Sequence, residues 1–541
     1  MSEFARVPVD PLDGPTFALG GRVVTMDDSK QVLDHGVVYV SRGSIAAVEK
    51  AGAAAPDGFD GVKVLETKGT IYPGLIDLHD HLSYNALQLW DVPKRFTNRN
   101  QWASGDTYRK LVTGPMKALA HTPKYVPAIV RYVECKCLVG GTTTTQGMTL
   151  SSFAGIQHFY KGIVRNVEQT GDPDLPQAGT HIADVEAKDH EKFLKRLESF
   201  DCLLLHLSEG TDDAAREHFL ALQAPSGEWA VTGSLAGIHC VALQKKDFEV
   251  LAKGQASMVW SPLSNLLLYG ETADIGAARE AGVLMALGPD WSPSGSKNLL
   301  GELKVARLVS GLGGDKLSDF ELLSLATRNP AKILRWDKQV GTLEGGKRAD
   351  IFVVAGDGGD GHSHLFTRSE HDVELVVING VPRYGASQVM RHLLGEAAAE
   401  AEAGTVGGRA RLLYLVQPSG DPVVGGLTLA EATDLLSDGM KRLPDLAKDL
   451  VARPALDPDA LLLVLDHDEP DGTDQRPHLP NRNGDFTAML HEAERATPLS
   501  DLLVPLTLDA LTVSDDSGFV DALAKEANLP KEVAAHVTDL F

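Results

Sequence analysis

Cysteine is scarce in this chain: its 541 residues contain four, Cys135, Cys137, Cys202 and Cys240, too few and too unevenly spaced for a disulfide framework. They are expected to be reduced. The Cys135-x-Cys137 pair falls on a helical pattern whose turn points the two thiols apart, which makes them packing residues and not a metal clip. Basic charge is short as well. With 51 Lys plus Arg against 74 Asp plus Glu the net charge is −23, which excludes nucleic acid and anionic membrane as partners, since both demand clustered cations. No apolar run reaches the roughly 18 residues of a membrane span. The opening Met1 to Asp10 lacks the apolar core of a secretory signal, so a cytoplasmic protein is expected. At 43% hydrophobic and 23% charged residues the composition excludes a disordered or fibrous chain and leaves a large globular one.

Much of the acidity is local. Arg391 to Phe541 holds 27 acidic and 12 basic residues, a net −15, which marks that segment as a separate unit. Ahead of it, Phe17 to Met26, Gly36 to Val40 and Ser44 to Val48 are short, Val- and Ile-rich and divided by turn residues, the pattern of antiparallel strands. The same texture returns at Asp350 to Val354 and Val373 to Gly380, so the two flanks are expected to build one small β-domain around an inserted one. In the insert, apolar runs near 71–79, 142–147, 162–167, 179–185, 202–207, 235–240, 256–260 and 283–288 alternate with amphipathic stretches. Eight β-α units in about 265 residues fit a (β/α)8 TIM barrel, typically about 250 residues long.

The expected architecture is therefore α/β: residues 1–70 and 337–384 as the two parts of the β-domain, 71–336 as the barrel, and 385–541 as an acidic α+β extension. Within the extension Gly395 to Gly408 reads as a linker, Leu427 to Val451 as an amphipathic helix pair and Leu461 to Asp466 as a buried strand. Asp468 to Asn483 reads as an exposed loop.

Barrel sites lie where the strands end, and ligand-type residues gather there. Residues 74–81 read Gly-Leu-Ile-Asp-Leu-His-Asp-His, and the two-residue period of a strand places His79 and His81 on one face. Strand five ends in His206, strand six in His239 and strand eight in Asp290. Three histidines and a carboxylate suit Zn²⁺ or Fe²⁺ with room for a water whose pKa falls toward about 7. Glu209, three residues past His206, is the candidate acid/base.

Over most of residues 16–384 the sequence resembles the amidohydrolase superfamily. The resemblance is carried, in order, by Pro73 to His81, Gly140-Gly-Thr-Thr-Thr144, His206-Leu-Ser-Glu209, Gly237-Ile-His-Cys240, Ser261-Pro-Leu-Ser-Asn265, Gly288-Pro-Asp290, and Asn329-Pro-Ala-Lys332 with Gly341 to Asp350. It looks most like the single-metal branch of cytosine and guanine deaminases and triazine hydrolases. That resemblance implies one divalent ion, Zn preferred over Fe, held by His79, His81, His206 and Asp290. It implies His239 at the water or substrate, and Asp290 and Glu209 as the groups that move protons. Gly210 and Pro289 depart from the usual pattern, which argues against a familiar nucleobase. A second ion would need a bridging residue, for which Lys136, Lys188 and Glu168 are the candidates, and a single ion is expected.

The implied reaction is hydrolysis of a non-peptide carbon–nitrogen bond in a small molecule, most simply deamination. An amidase, a cyclic-amide hydrolase or a chlorohydrolase-like enzyme would use the same site, and a non-catalytic scaffold would not need the complete residue set. Trp90, Trp102, Trp260 and Trp291 either line a pocket or pack loops. Arg165 meets either a substrate carboxylate or a barrel carboxylate, and Gln146 either a substrate amide or a loop carbonyl. Homo-oligomerisation stays open.

Overall fold

The computed structural model describes residues 14–103, 105–152, 156–181, 190–314, 316–452, 460–465 and 497–541. The predicted loop at Asp468 to Asn483 and the bridging candidate Lys188 lie outside them.

Strands β1 (Phe17–Val24), β2 (Val32–Ser41), β3 (Ser44–Lys50) and β4 (Val64–Pro73) open the chain. Arg42 and Gly43, both at positive φ (51° and 79°), make the two-residue turn between β2 and β3. The chain leaves β4 through Gly74, whose missing Cβ would sit 2.4 Å from Thr143, and enters β5 (Leu75–Ile76). After the helix Val126–Val139 come β6 (Thr142–Thr145), the hairpin β7 (Thr149–Ser152) and β8 (Gln157–Phe159), and β9 (Arg165–Asn166). Then follow β10 (Ala178–His181), β11 (Cys202–Leu207), β12 (Leu235–His239), β13 (Ser257–Trp260) and β14 (Leu284–Leu287). Helices Asp213–Leu220, Lys245–Lys253 and Ile275–Ala281 alternate with these last strands.

Strands β5-β6-β9 form one parallel sheet and β10-β11-β12-β13-β14 another. They are tied together on both sides. Ala178 donates to Val167 O at 2.8 Å on one side; on the other His81 donates to Asp290 O at 2.6 Å and Asp290 to His79 O at 3.0 Å. Alternate residues divide cleanly: Cys202, Leu204, Ala236, Ile238, Val259 and Ala286 share one core with Trp336, while Leu203, Leu205, Leu207 and Leu235 pack with the helix residues Phe219, Phe248 and Leu251.

The chain then returns to the first sheet with β15 (Ile351–Ala355), β16 (Val373–Ile378) and β17 (Val381–Ala386). β15 pairs antiparallel with β4, so both flanks share one sheet. The apolar run read from 71 to 79 is accordingly split: Ile71 to Pro73 belong to β4, and the parallel strand is only Leu75–Ile76.

The stretch expected to be a linker is not one. Gly395–Glu400 is a 3₁₀ turn, and β18 (Glu402–Val406) and β19 (Arg409–Leu413) extend the nine-stranded sheet, β19 pairing with β17 and β18 with β19. Alanine and glycine in this stretch signal a linker by composition, whereas backbone pairing needs no side chain. Helices Leu429–Lys441 and Leu443–Ala452 follow, and β20 (Leu461–Leu463) adds to β7. Leu436, Met440, Leu503, Phe519 and Leu523 belong to the same apolar core as Ile129 and Val133, so the extension shares its interior with the rest of the chain.

Candidate metal centre

Beyond Ile76 the backbone is irregular, and Asp77 Oδ1 accepts from His79 N at 2.9 Å to turn the chain. The rings still converge. Centroid separations are 5.1 Å for His79–His81, 4.7 Å for His79–His206, 5.0 Å for His79–His239 and 5.3 Å for His206–His239. Two sets of donors, His79 with His206 and His239, and His79 with His81 and Asp290, each have ligand atoms within 4.8 Å of one another. Asp290 Oδ1 lies 2.9 Å from His79 Nε2 and 3.4 Å from His81 Nε2.

Backbone strain helps to aim these groups. His239 pairs with Leu207, on the face that packs against helices, and a φ of 68° breaks the alternation and brings its ring beside His206. Ser208 (52°) and Asp290 (71°) are left-handed too.

Neighbouring side chains fix which atom of each group faces the cluster. His79 Nδ1 is 3.2 Å from Gln146 Oε1, which also accepts from Asp80 N at 3.0 Å, so Nε2 is left for the centre. His239 Nδ1 is 3.0 Å from Asn265 Oδ1, and Ser264 Oγ donates to Asp290 Oδ2 at 2.5 Å, leaving Oδ1 toward the histidines. Burial pushes the His79 imidazole below its ordinary pKa, against the pull of Asp290. Burial pushes His206 well below. For Asp290 burial acts upward, but the facing imidazoles of His79, His239 and His81 outweigh it and hold the carboxyl below the usual carboxylate range. Neutral imidazole and ionised carboxylate are the forms that ligate metals. His206 Nδ1 is buried without a hydrogen-bond partner, whereas His79 Nε2 has Asp290 Oδ1 beside it.

Glu209 stands beside the cluster and is in neither donor set. Its Oε1 accepts from Tyr269 Oη at 2.8 Å, and its Oε2 lies 3.6 Å from Arg99 and 3.9 Å from His239 Nε2. Gly210 follows at φ 138°, where a Cβ would meet Thr97 O at 2.4 Å; the departure at this position accommodates the segment that crosses above it.

Other expectations are redirected. Arg165 pairs with Asp350 at 2.5 Å and with Thr144 at 3.0 Å; its partner is a protein carboxylate, but one just ahead of β15 in the flanking β-domain and not from the barrel. Gln146 Oε1 lies beside His79 Nδ1 and accepts from Asp80 N, and its Nε2 donates to Thr180 Oγ1 at 3.2 Å, so the side chain orients His79 in place of a loop carbonyl. Glu168 bonds Gly147 N at 2.8 Å and Thr180 at 2.9 Å, with its pKa pushed up to about 7 by burial, and it joins neither donor set. Lys136 is turned away from the histidines, toward Asp509 at 2.5 Å. Trp260 is fully buried and bonds Thr272, whereas Trp291 lies 5.3 Å from His81 and 6.3 Å from Trp102, in an aromatic cluster with Tyr84 edge-on and Tyr108 tilted. Tyr269, Arg99, Asn265 and Ser264 had no role in the sequence. Only the last two left a signal, their place in the quoted Ser261 to Asn265 motif.

Residues 181–383 match the model of the Amidohydrolase family. Over 153 residues, 26% of this chain and 36% of that protein, the chain is 34% identical to a 5-methylthioadenosine/S-adenosylhomocysteine deaminase of Thermoanaerobacter pseudethanolicus. The match thus spans about a third of that relative's length. An adenosine deaminase from Xanthomonas campestris, solved with bound zinc, is similar in fold: TM-score 0.55, 18% identity, covering 80% of this chain and 100% of that one. So is the atrazine chlorohydrolase of Arthrobacter aurescens in complex with zinc, at TM-score 0.53 and 22% identity, covering 68% of this chain and 94% of that one.

Proposed function

We propose that this chain, whose residues 181–383 match the Amidohydrolase family model, is a metal-dependent hydrolase of a non-peptide carbon–nitrogen bond in a small molecule, most simply a deaminase. The observation that supports this is the convergence of His79, His81, His206, His239 and Asp290, with a carboxylate, Glu209, adjacent but outside the donor sets. The two parallel sheets are read as one closed (β/α)8 barrel. Residues 71–336 form the catalytic unit, 1–70 and 337–384 its β-domain and 385–541 its extension, in a cytoplasmic protein. A homo-oligomer is compatible with this.

The donor set fits one divalent ion, zinc in preference to iron: His79, His81 and His206 offer imidazole nitrogens, Asp290 an ionised oxygen, and His206 Nδ1 is buried without a hydrogen-bond partner. When bound, such an ion supplies Lewis acidity and a water that ionises near pH 7, in place of about 15.7. The protein's own residues do the rest. Asp290 would accept a proton from the attacking water, and Glu209, held by Tyr269 and Arg99, would deliver a proton to the departing nitrogen. His239, fixed by Asn265, presents Nε2 to the water or to the substrate atom under attack.

Elemental analysis of the purified chain, followed by a screen of amino-heterocycles and amides, tests this. Ammonia with a carbonyl product means deamination, and a new carboxylate means amide opening. A His79→Ala variant that retains a full equivalent of tightly held metal would show the ligand set to be wrong.

A further inference from the structure

The C-terminal extension lies outside the family match, yet it sends a buried carboxylate, Asp509, to Lys136 and Lys297. Leu506 donates to Met440 O at 3.0 Å and Asp509 to Ala86 O at 3.0 Å, which threads this segment between a helix of the extension and the loop after β5. Tyr132 Oη bonds the Asp509 carbonyl. The Asp509 side chain is 1% exposed and pairs with two lysines that are equally buried: Lys136 at 2.5 Å and Lys297, which also meets Asp516 at 2.9 Å.

Lys136 Nζ then donates to Asn85 O at 2.9 Å and to Ser292 Oγ at 2.8 Å. Ser292 N donates to Asn85 Oδ1 at 2.7 Å, and Asn85 Nδ2 holds both oxygens of Asp80 at 2.9 and 3.0 Å. Asp80 forms a parallel bridge with Asp290. Asp509 is therefore joined by a continuous chain of hydrogen bonds to the two loops that carry His79, His81 and Asp290. An ammonium buried this deeply is tolerated only while a carboxylate neutralises it.

We propose that Asp509 is a positioning residue: through Lys136, Asn85 and Ser292 it sets the distance between the loops after β5 and β14, so that the extension completes the ion-binding geometry. This rests on the reading of His79, His81 and Asp290 as metal ligands. The two loops meet directly through His81 N to Asp290 O and Asp290 N to His79 O, and the network from Asp509 braces that junction from a second side. It does so with groups that never touch the ion.

The test is zinc affinity, by chelator competition on the full-length apoprotein, for the wild type, Asp509→Asn and Ser292→Ala, with thermal melting in parallel. Asp509→Asn keeps the shape but leaves the lysines under-neutralised, and its zinc affinity should fall about 10- to 100-fold, the size of outer-shell effects on metal sites. Ser292→Ala removes the bond from Lys136 to Ser292 Oγ without orphaning a charge, leaving the backbone bond from Ser292 N to Asn85 Oδ1 in place, and zinc affinity should fall in the same direction by several-fold. Zinc affinity within about 2-fold of wild type in Asp509→Asn, with only the melting temperature lowered, would reduce Asp509 to a structural residue and overturn the proposal. Should Asp509→Asn be insoluble, Ser292→Ala decides, and unchanged affinity there overturns it. A wild type that binds no zinc would remove the metal reading itself, and this proposal with it.

Discussion

Glu209 is gripped on both oxygens, by Tyr269 on one and by Arg99 on the other, and that grip keeps a carboxyl at a fixed place 3.9 Å from His239. Glu209→Gln retains size and hydrogen bonding but removes the exchangeable proton. Metal content should stay while kcat falls by about 10² to 10⁴, roughly 3 to 5 kcal/mol of barrier. Metal loss equal to that of His206→Asn would make Glu209 a ligand instead. His239 belongs to a donor set with His79 and His206, so His239→Asn is the sharper comparison. Turnover should drop with less metal loss than in His206→Asn, and equal loss would place His239 on the ion. Gln146 supports the opposite side. Gln146→Ala removes the acceptor at His79 Nδ1 and should weaken zinc binding about 10- to 100-fold. Unchanged affinity would mean the ring is oriented by packing alone. The ligand-type residues were legible because His, Asp and Glu at strand ends carry their chemistry in their names. Gln146 was not, because its partner lies 67 positions away and nothing in the local sequence links them.

At the scale of elements, the apolar runs fall on β11 to β14 most plainly, since strands buried on both faces write themselves as continuous hydrophobic stretches, whereas β6 is four threonines and β9 only Arg165–Asn166. Their facing was less legible. Strict alternation puts His239 opposite His206, and only its left-handed backbone reverses that, a torsion that no side-chain pattern reports. The junction of β5 and β14 is equally tight. A Cβ on Gly288 would lie 2.6 Å from His79 Cβ and 2.7 Å from His79 N, so only glycine lets the two strand ends approach. Gly288→Ala must push His79 away from Asp290, now 2.9 Å apart. We expect a folded protein, destabilised by about 1 to 3 kcal/mol from overpacking, that binds zinc more than tenfold more weakly, at the scale of lost outer-shell support. Wild-type zinc affinity in that variant would show that the strand ends have slack that the close contacts deny.

For the whole molecule, the acidic bias of the last 150 or so residues suggested a unit set beside the rest, and charge is a poor guide here because it reports the surface. The interior says otherwise. Leu436, Met440, Leu443, Leu446, Leu503 and Phe519 sit in one core with Tyr125, Ile129 and Val133, and Asp438 accepts from Tyr125 Oη at 3.1 Å. β18 and β19 continue the sheet that β1 to β4 begin. Each fully buried leucine of this kind contributes about 2 kcal/mol that is lost when its partners are removed, against a total stability of about 5 to 15 kcal/mol for a typical domain. A chain ending at Gln417 keeps the sheet but bares the helix Val126–Val139 and strips Asp509 from Lys136 and Lys297. We therefore expect that truncation to give insoluble protein without bound metal, while the full chain melts in calorimetry as one transition that shifts upward with zinc. A soluble, cooperatively melting truncation that holds one equivalent of zinc would instead make the extension a detachable module, and the buried lysines would then have to find another way to be neutralised.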